Sequence, residues 1–272
     1  MIQLGLIGHE IGRSSAPRLH QLSGAFMGLS VSYELFDVRG ADAFMACLYR
    51  LRDAGYTGVN VTHPFKTVAR QQVSAFGDGV AMIGAVNTIL FSQDGTLTGH
   101  NTDWSGFMAA YQARFGQVKP GRVAIIGAGG VGRPIAAGLC QLGASELRIY
   151  DRDLPVAERV AADLGDAPCS VIACHDLGQA TQGADGLVNA TPVGMHHHPG
   201  CPLPAEVFGQ PTWAFDAIYT PVDTLFLSHA AAAGAKILSG YELFLHQGID
   251  AFELFTGQKI AIKEIRRLLT AA

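Results

Sequence analysis

Residues 123–132 read VAIIGAGGVG, an apolar run that stops abruptly at a cluster of glycines. The run has the composition of a buried strand, and Gly127, Gly129 and Gly132 space as G-x-G-x-x-G at the opening of a helix. Glycines there permit a tight turn, let the backbone approach a pyrophosphate and bring helix against strand, while the helix N-terminus offers N–H donors. The pattern alone would also suit a plain turn. What decides the reading is an acidic residue about 20 positions onward. It is Asp151, closing the strand-like ELRIY, where a carboxylate can accept hydrogen bonds from ribose hydroxyls.

The stretch YDRD at 150–153 bears on which dinucleotide fits. Arg152 could stack on adenine or grip a 2′-phosphate, but Asp151 and Asp153 repel that phosphate. Two carboxylates outweigh one arginine, so NAD is favoured over NADP. Beyond this unit CSVIAC, GLVN and TWAFDAI read as further strands between helical segments, giving a second α/β domain.

Upstream, strand-like and helical runs also alternate. QLGLI, a helix from about Pro17 to Met27, SYELF, a helix from about Ala41 to Ala54, and GVNV imply a mainly parallel sheet covered by helices. VNTILF and TLTGH, joined by SQDG, read as an antiparallel hairpin. TDWSGFMAAYQARFGQ is a helix ending at Gly116, and VKPGR is a turn-rich boundary. GYELFLHQGIDAFELFTG is helical with no strand after it, free to pack back on the first half. The expected organisation is a substrate and catalytic domain over 1–103, a dinucleotide-binding domain over 104–240 and a returning helical segment over 241–272.

Composition narrows the function class. The 272 residues are 49% hydrophobic with a formal net charge of −4 and no Lys/Arg cluster. A nucleic acid or an anionic membrane would call for a basic surface, so the expected partner is a small molecule. No apolar run is long enough to span a bilayer, and MIQLGLIGHE lacks the pattern of a secretory leader, which points to the cytoplasm. Five cysteines without C-x-x-C spacing fit reduced thiols rather than a disulfide framework.

The first half carries the chemistry. In GVNVTHPFKT (58–67), Asn60 and Thr62 lie two apart on one face of a strand, and Lys66 falls in the helical turn that Pro64 opens. These groups converge at the strand's C-terminal end, where ligands sit in open α/β sheets. If the hairpin closes around Gln93 and Asp94, Asn87 lies opposite about His100 and close to Asp103. Lysine beside aspartate at such an end is a proton-transfer pair, and spacing leaves open the alternative of a solvated surface ion pair with two strand-capping amides.

Taken together, NVTHPFK, GAVNT, GHNTD, GAGGVG, NATPVGM, DAIYTP and HQGIDAF resemble, in order, the motifs of the shikimate dehydrogenase family, and several are closer to its quinate/shikimate branch. The resemblance spans nearly the whole chain. It implies an N-terminal domain for a polyhydroxylated ring carboxylate, a C-terminal Rossmann-like domain, and hydride exchange at a ring carbinol in the cleft between them. Lys66 and Asp103 match the family's catalytic pair. Ser14, Asn60, Thr62, Asn87, Tyr219 and Gln247 match residues that hold the ring substituents. Gly127, Ala128, Gly129, Gly130, Val131 and Gly132 match the pyrophosphate loop. Asp151 and Arg152 fall at the cofactor's ribose, with Asp153 replacing the Thr of NADP-using relatives, and Thr191, Ala217 and Gly240 are implied near the cofactor.

One departure concerns the substrate. Relatives read Ser-x-Ser-Pro where this chain has Ser14, Ser15, Ala16 and Pro17, and Arg13 stands where many carry His. One carboxylate contact is thereby missing, with Arg13 or Arg18 as candidate replacements. Shikimate, quinate and an amino-substituted shikimate stay open as substrates, and a nucleotide-sensing module without turnover is the alternative from another class. The oligomeric state stays open too, a homodimer being one option. No metal is expected. His196, His197, His198 and Cys201 sit in the loop-forming MHHHPGCP without a helical i, i+4 pair, and Cys174 with His175 makes no set either. Trp104 and Phe107 read as core, Arg266 and Arg267 as a solvated helix face.

Overall fold

A computed structural model describes residues 1–270. The chain divides into two compact units, one comprising Met1–Gly106 with the chain from Leu245 onward, the other Phe107–Phe244. Of the expected returning segment 241–272, residues 271 and 272 lie outside the described residues.

The first unit follows the order β1 (Ile2–Gly8), α1 (Ala16–Phe26), β2 (Val31–Asp37), α2 (Ala41–Asp53), β3 (Gly58–Val61), α3 (Lys66–Gln72), β4 (Ala75–Phe76), α4 (Val80–Ile83), β5 (Thr88–Phe91) and β6 (Leu97–His100), and α5 (Thr102–Phe115) leads from it into the second unit at Phe107. Among the described residues its sheet runs β2-β1-β3-β5-β6-β4, and within it β5 alone is antiparallel to its neighbours. The hairpin is offset by one residue from its expected register: Thr88, not Asn87, faces His100, while the Asn87 N–H donates to the His100 carbonyl. α2 buries Phe44, Cys47, Leu48 and Leu51 at helical spacing, which seats it on the sheet. Phe65, also buried, stacks on Phe44 with ring centroids 5.0 Å apart, so the residue before Lys66 is anchored in the core. Pro64 precedes α3 rather than occupying its first turn.

The second unit carries β7 (Arg122–Ile126), α6 (Gly132–Gln141), β8 (Glu146–Tyr150), α7 (Leu154–Asp163), β9 (Ser170–Cys174), α8 (Leu177–Thr181), β10 (Gly186–Asn189), β11 (Trp213–Asp216), α9 (Leu225–Ala232) and β12 (Lys236–Leu238); α10 (Gly240–Thr256) then passes into the first unit at Leu245, and α11 (Ile262–Thr270) belongs to that unit. The sheet order β12-β11-β10-β7-β8-β9 with every pairing parallel is the doubly wound, Rossmann-like arrangement. Its order reverses between β7 and β10, the place where such sheets receive ligands. Phe107 is fully buried against Phe215, as expected of core, and Trp104 packs over Gly79 in the first unit.

The cysteines depart from expectation. Cys140, near the end of α6, and Cys169, just before β9, form a disulfide with Cα atoms 5.5 Å apart, and Cys47, Cys174 and Cys201 are free. The pairing depends on how α6 and β9 fold together, which sequence spacing does not show.

Candidate active site

In the first unit β3 ends beside the start of β5, and the segment after β6 enters α5 next to both. That arrangement gathers the polar groups. Lys66 Nζ donates to Asp103 Oδ2 at 2.6 Å, and each side chain is only 9% exposed. The pair is therefore buried, which excludes the solvated surface reading. Two charges removed from water are retained only with close pairing.

Around the pair lies a network of neutral groups. Asn60, 8% exposed, accepts from the Tyr33 hydroxyl at 2.8 Å and donates to Thr88 Oγ1 at 2.9 Å. Thr88 Oγ1 donates to Asn87 Oδ1 at 3.1 Å, and that oxygen also accepts from the Thr102 backbone N–H at 2.7 Å. Asn87 Nδ2 donates to Thr102 Oγ1 at 3.0 Å, which lies 3.4 Å from Gln247 Oε1. Gln247 comes close because Gly106 faces it: a Cβ on Gly106 would stand 2.5 Å from the Gln247 nitrogen. Thr62 is half-buried at the mouth of β3, and its backbone N–H donates to Ile7. Ser14 Oγ accepts from the Ala16 N–H at 3.2 Å, and Ala16 opens α1.

So Lys66 and Asp103 are joined to each other, Asn60, Asn87 and Gln247 are bridged through Thr88 and Thr102, and Thr102 adjoins Asp103 in the chain. Ser14 and Thr62 belong to the same unit without a side-chain bond to that network. Tyr219 belongs to the other unit, where it stacks on Phe244 at 5.1 Å. Sequence reasoning missed Tyr33, Thr88 and Thr102. The last two lie inside GAVNT and GHNTD, each directly beside a residue that was singled out.

In the second unit the glycine segment follows β7. Gly127 has φ 98°, and a Cβ there would stand 2.8 Å from the Ala190 carbonyl oxygen, so the turn after β7 presses against the turn after β10. A Cβ on Gly129 would meet open space. No described residue accepts from the backbone N–H groups of Gly129, Gly130 or Val131 at the start of α6. Unpaired donors at a helix N-terminus suit a pyrophosphate, so the segment fits a dinucleotide. Asp151 Oδ2 accepts from the Ala128 N–H at 2.8 Å and Oδ1 from the Asp153 N–H at 3.0 Å, which fixes the carboxylate while leaving lone pairs for a ribose. Arg152 and Asp153 are exposed beside it.

A buried polar cluster supports the loops after β10 and β11. Asn189 Oδ1 accepts from the Thr191 backbone and hydroxyl at 3.0 and 2.7 Å, while its Nδ2 donates to Asp216 at 3.1 Å. Asp216 also accepts from the Ile218 N–H and the Thr224 hydroxyl. Ala217 donates its N–H to Asn189, and a Cβ on Gly240 would stand 2.6 Å from the Ala217 carbonyl oxygen. Thr191, Ala217 and Gly240 are thus tied to one framework.

Burial pushes the Asp216 carboxyl up from 3.8 to about 6 against three hydrogen bonds that pull it down. A raised carboxylate adds stability below its unfolded value and loses it as pH rises through its folded value. Asp216→Asn should therefore flatten the fall in melting temperature between about pH 4 and about pH 6. The check is a thermal melt series across that window. An unchanged slope would mean that Asp216 carries its charge at no penalty.

Three family models match the chain: the shikimate dehydrogenase substrate binding domain over residues 6–89, shikimate/quinate 5-dehydrogenase over 109–196, and the shikimate 5′-dehydrogenase C-terminal domain over 240–270. The shikimate dehydrogenase (NADP(+)) of Streptomyces avermitilis is 36% identical over 264 residues, covering 94% of this chain and 90% of the relative. The quinate/shikimate dehydrogenase (NAD(+)) of Corynebacterium efficiens is 34% identical over 274 residues, covering 97% and 96%. The solved quinate dehydrogenase of Corynebacterium glutamicum in complex with NAD superposes with a TM-score of 0.90 at 32% identity, covering 100% of this chain and 99% of that one.

Proposed function

Because the chain belongs to the shikimate/quinate dehydrogenase family of oxidoreductases, we propose that it exchanges a hydride between NAD and a ring carbinol of shikimate or a close analogue, with Lys66 and Asp103 handling the proton. The observation that carries this reading is the buried Lys66–Asp103 contact beside the Asn60–Asn87 network.

As the neutral amine, Lys66 spends one of its hydrogens on Asp103 and has a lone pair with which to accept the carbinol O–H and take its proton during oxidation, becoming the ammonium. Asp103 keeps the amine in place through Oδ2 and leaves Oδ1 for a different substrate hydroxyl, since the single proton of the carbinol goes to the amine. Asn87 Oδ1 is already taken by Thr102 and Thr88, so its remaining N–H offers only a donor. Ser14, Thr62, Tyr219 and Gln247 complete the reading as holders of the other ring substituents. The nicotinamide supplies the hydride acceptor when bound. Gly127 through Gly132 hold its pyrophosphate, Asp151 and Arg152 the adenosine side, and Thr191, Ala217 and Gly240 the remainder. In this reading the unit with Lys66 is the substrate domain and the other the cofactor domain. Its setting is the cytoplasm, and no helix of the described chain is long and apolar enough to cross a membrane. A sensor without turnover has no use for a buried proton-transfer pair, which favours the enzyme.

NAD is assigned over NADP because the Asp151 carboxylate is held by two backbone N–H groups and cannot turn aside from a 2′-phosphate. The test is NADH formation with shikimate, quinate and an amino-substituted shikimate as alternative substrates. Absence of turnover with all three would overturn the reading.

The substrate end supplies a further expectation. Ser14 has already accepted the Ala16 N–H and keeps one hydroxyl proton for a carboxylate, and Ala16 has none to add. A hydrogen bond to a charged group contributes about 1.5 kcal/mol at the low end, near tenfold in affinity. Ala16→Ser should lower KM for shikimate by about that factor and leave the NAD preference unaltered. Equal KM values for the two proteins would show that this position does not tune substrate choice.

A further inference from the structure

Thr88 is fully buried and touches no solvent, so it contacts no ligand, yet it bridges the two amides on which substrate recognition depends. It stands directly opposite Asn60 in the β3–β5 pairing and follows Asn87 in the chain. We propose that Thr88 is a positioning residue that passes the orientation of Asn87 across to Asn60 and so fixes which end of the Asn60 amide donates and which accepts. The proposal rests on the substrate-binding roles given to those two residues above.

Some groups in this network have only one possible hydrogen-bonding role. A backbone N–H only donates, and the Thr102 N–H lies 2.7 Å from the Asn87 side chain, so the Asn87 atom facing it is the oxygen. The Thr88 hydroxyl lies 3.1 Å from that oxygen and must donate to it. A hydroxyl has one proton, so toward Asn60 it can only accept, and the Asn60 group 2.9 Å away is the nitrogen. A second fixed group agrees, because the Asn87 carbonyl, an acceptor only, lies 3.4 Å from the same Asn60 nitrogen. The Asn60 oxygen then faces Tyr33, which donates to it at 2.8 Å. Polarity runs from Thr102 through Asn87 and Thr88 to Asn60 and Tyr33, and Thr88 is the one link between the two amides that carries both roles.

The consequence is a rule for the ligand. Asn87 has one N–H left and no acceptor, so it takes an oxygen that accepts. Asn60 has both N–H groups directed into the protein and one lone pair left, so it takes a hydroxyl that donates. Without the Thr88 oxygen Asn87 is still held by the Thr102 N–H, but Asn60 keeps only a 3.4 Å contact to the Asn87 carbonyl and can turn over, so the site reads the ring hydroxyl there weakly.

Thr88→Val keeps the shape and removes the hydroxyl. It should raise KM for the ring substrate about tenfold while kcat stays within about threefold and KM for NAD is unmoved, and Thr88→Ser should bring KM back despite the lost methyl group. If the valine protein does not fold, Thr88→Ala against Thr88→Ser gives the same comparison, since both lack the methyl and only one has the oxygen. A purely structural role predicts the opposite ranking by melting temperature, with Ser as impaired as Ala. A second readout needs no substrate. Hydrogen exchange of the Asn60 side-chain NH2 group, followed by NMR on the free protein with the Asn87 group as reference, should be at least about tenfold faster without the hydroxyl and slow again in Thr88→Ser. Equal exchange rates, or an unchanged KM in an enzyme that turns the substrate over, would overturn the proposal. Loss of turnover in the unmodified protein would instead count against the substrate reading, with the exchange experiment still deciding on Thr88.

Discussion

Lys66→Met lowers kcat by about 10²–10⁴-fold, the usual worth of a positioned proton acceptor, while KM for the ring substrate changes far less. Methionine is an unbranched chain of similar length but offers no donor and no base. The substitution also leaves Asp103 without its cation in a buried place, and removing one partner of such a pair costs about 3–5 kcal/mol of stability. Melting temperature must therefore be measured beside the kinetics. The assignment stands if the folded variant, saturated with substrate and NAD, still turns over at a small fraction of the original rate. A loss confined to KM would sink it, because Lys66 would then only hold the substrate. Asp103→Asn should fall in the same direction with a smaller drop, since the amide still accepts from the lysine.

The unmodified protein should prefer NAD over NADP by about 100-fold in kcat/KM. A phosphate placed about 4 Å from a carboxylate at the protein surface meets a repulsion of several kcal/mol before screening, and salt reduces it to about 3 kcal/mol. Asp151 contributes most because the Ala128 and Asp153 N–H groups hold it still. Asp153 is exposed and adds less. Replacing Asp151 with Ser and Asp153 with Thr, with Arg152 kept, should narrow the preference to within about tenfold, because the guanidinium then faces the phosphate without opposition. KM for NAD should rise in the same variant as the ribose loses its acceptor. Equal use of the two cofactors by the unmodified protein would refute the reading of 150–153.

What could be read from the chain and what could not divides along physical lines. The glycine segment, Asp151 and the alternation of strand and helix are local patterns, and the doubly wound order that they imply is the one found. Lys66 and Asp103 were legible as a pair because a hairpin lies between them, even with its register one residue off. β4, two residues long, and β12, three, carry too little periodicity to be seen. The Tyr33–Asn60–Thr88 chain was invisible for another reason. It exists because Asn60 faces Thr88 across two strands, and which residues face each other is a property of register rather than of either strand's sequence. The Cys140–Cys169 bond is hidden likewise, since it joins a helix end to the approach of an edge strand.

The first unit closes its core with residues that follow the whole second unit in the chain. Ala251 and Phe255 of α10 join Leu4, Leu6, Ile11 and Tyr33 in one apolar cluster, and the Phe255 ring lies so close to Gly58 that no side chain could stand there. A chain made from its N-terminus reaches those residues only after the whole second unit, on the order of ten seconds after β6 is made at ordinary elongation rates. Until then the strand that leads to Lys66 has one face uncovered, and by its close every strand of the second unit's sheet has been synthesised. Order of manufacture thus runs against order of sequence: the later unit can mature first, and the half that holds Lys66 waits for α10.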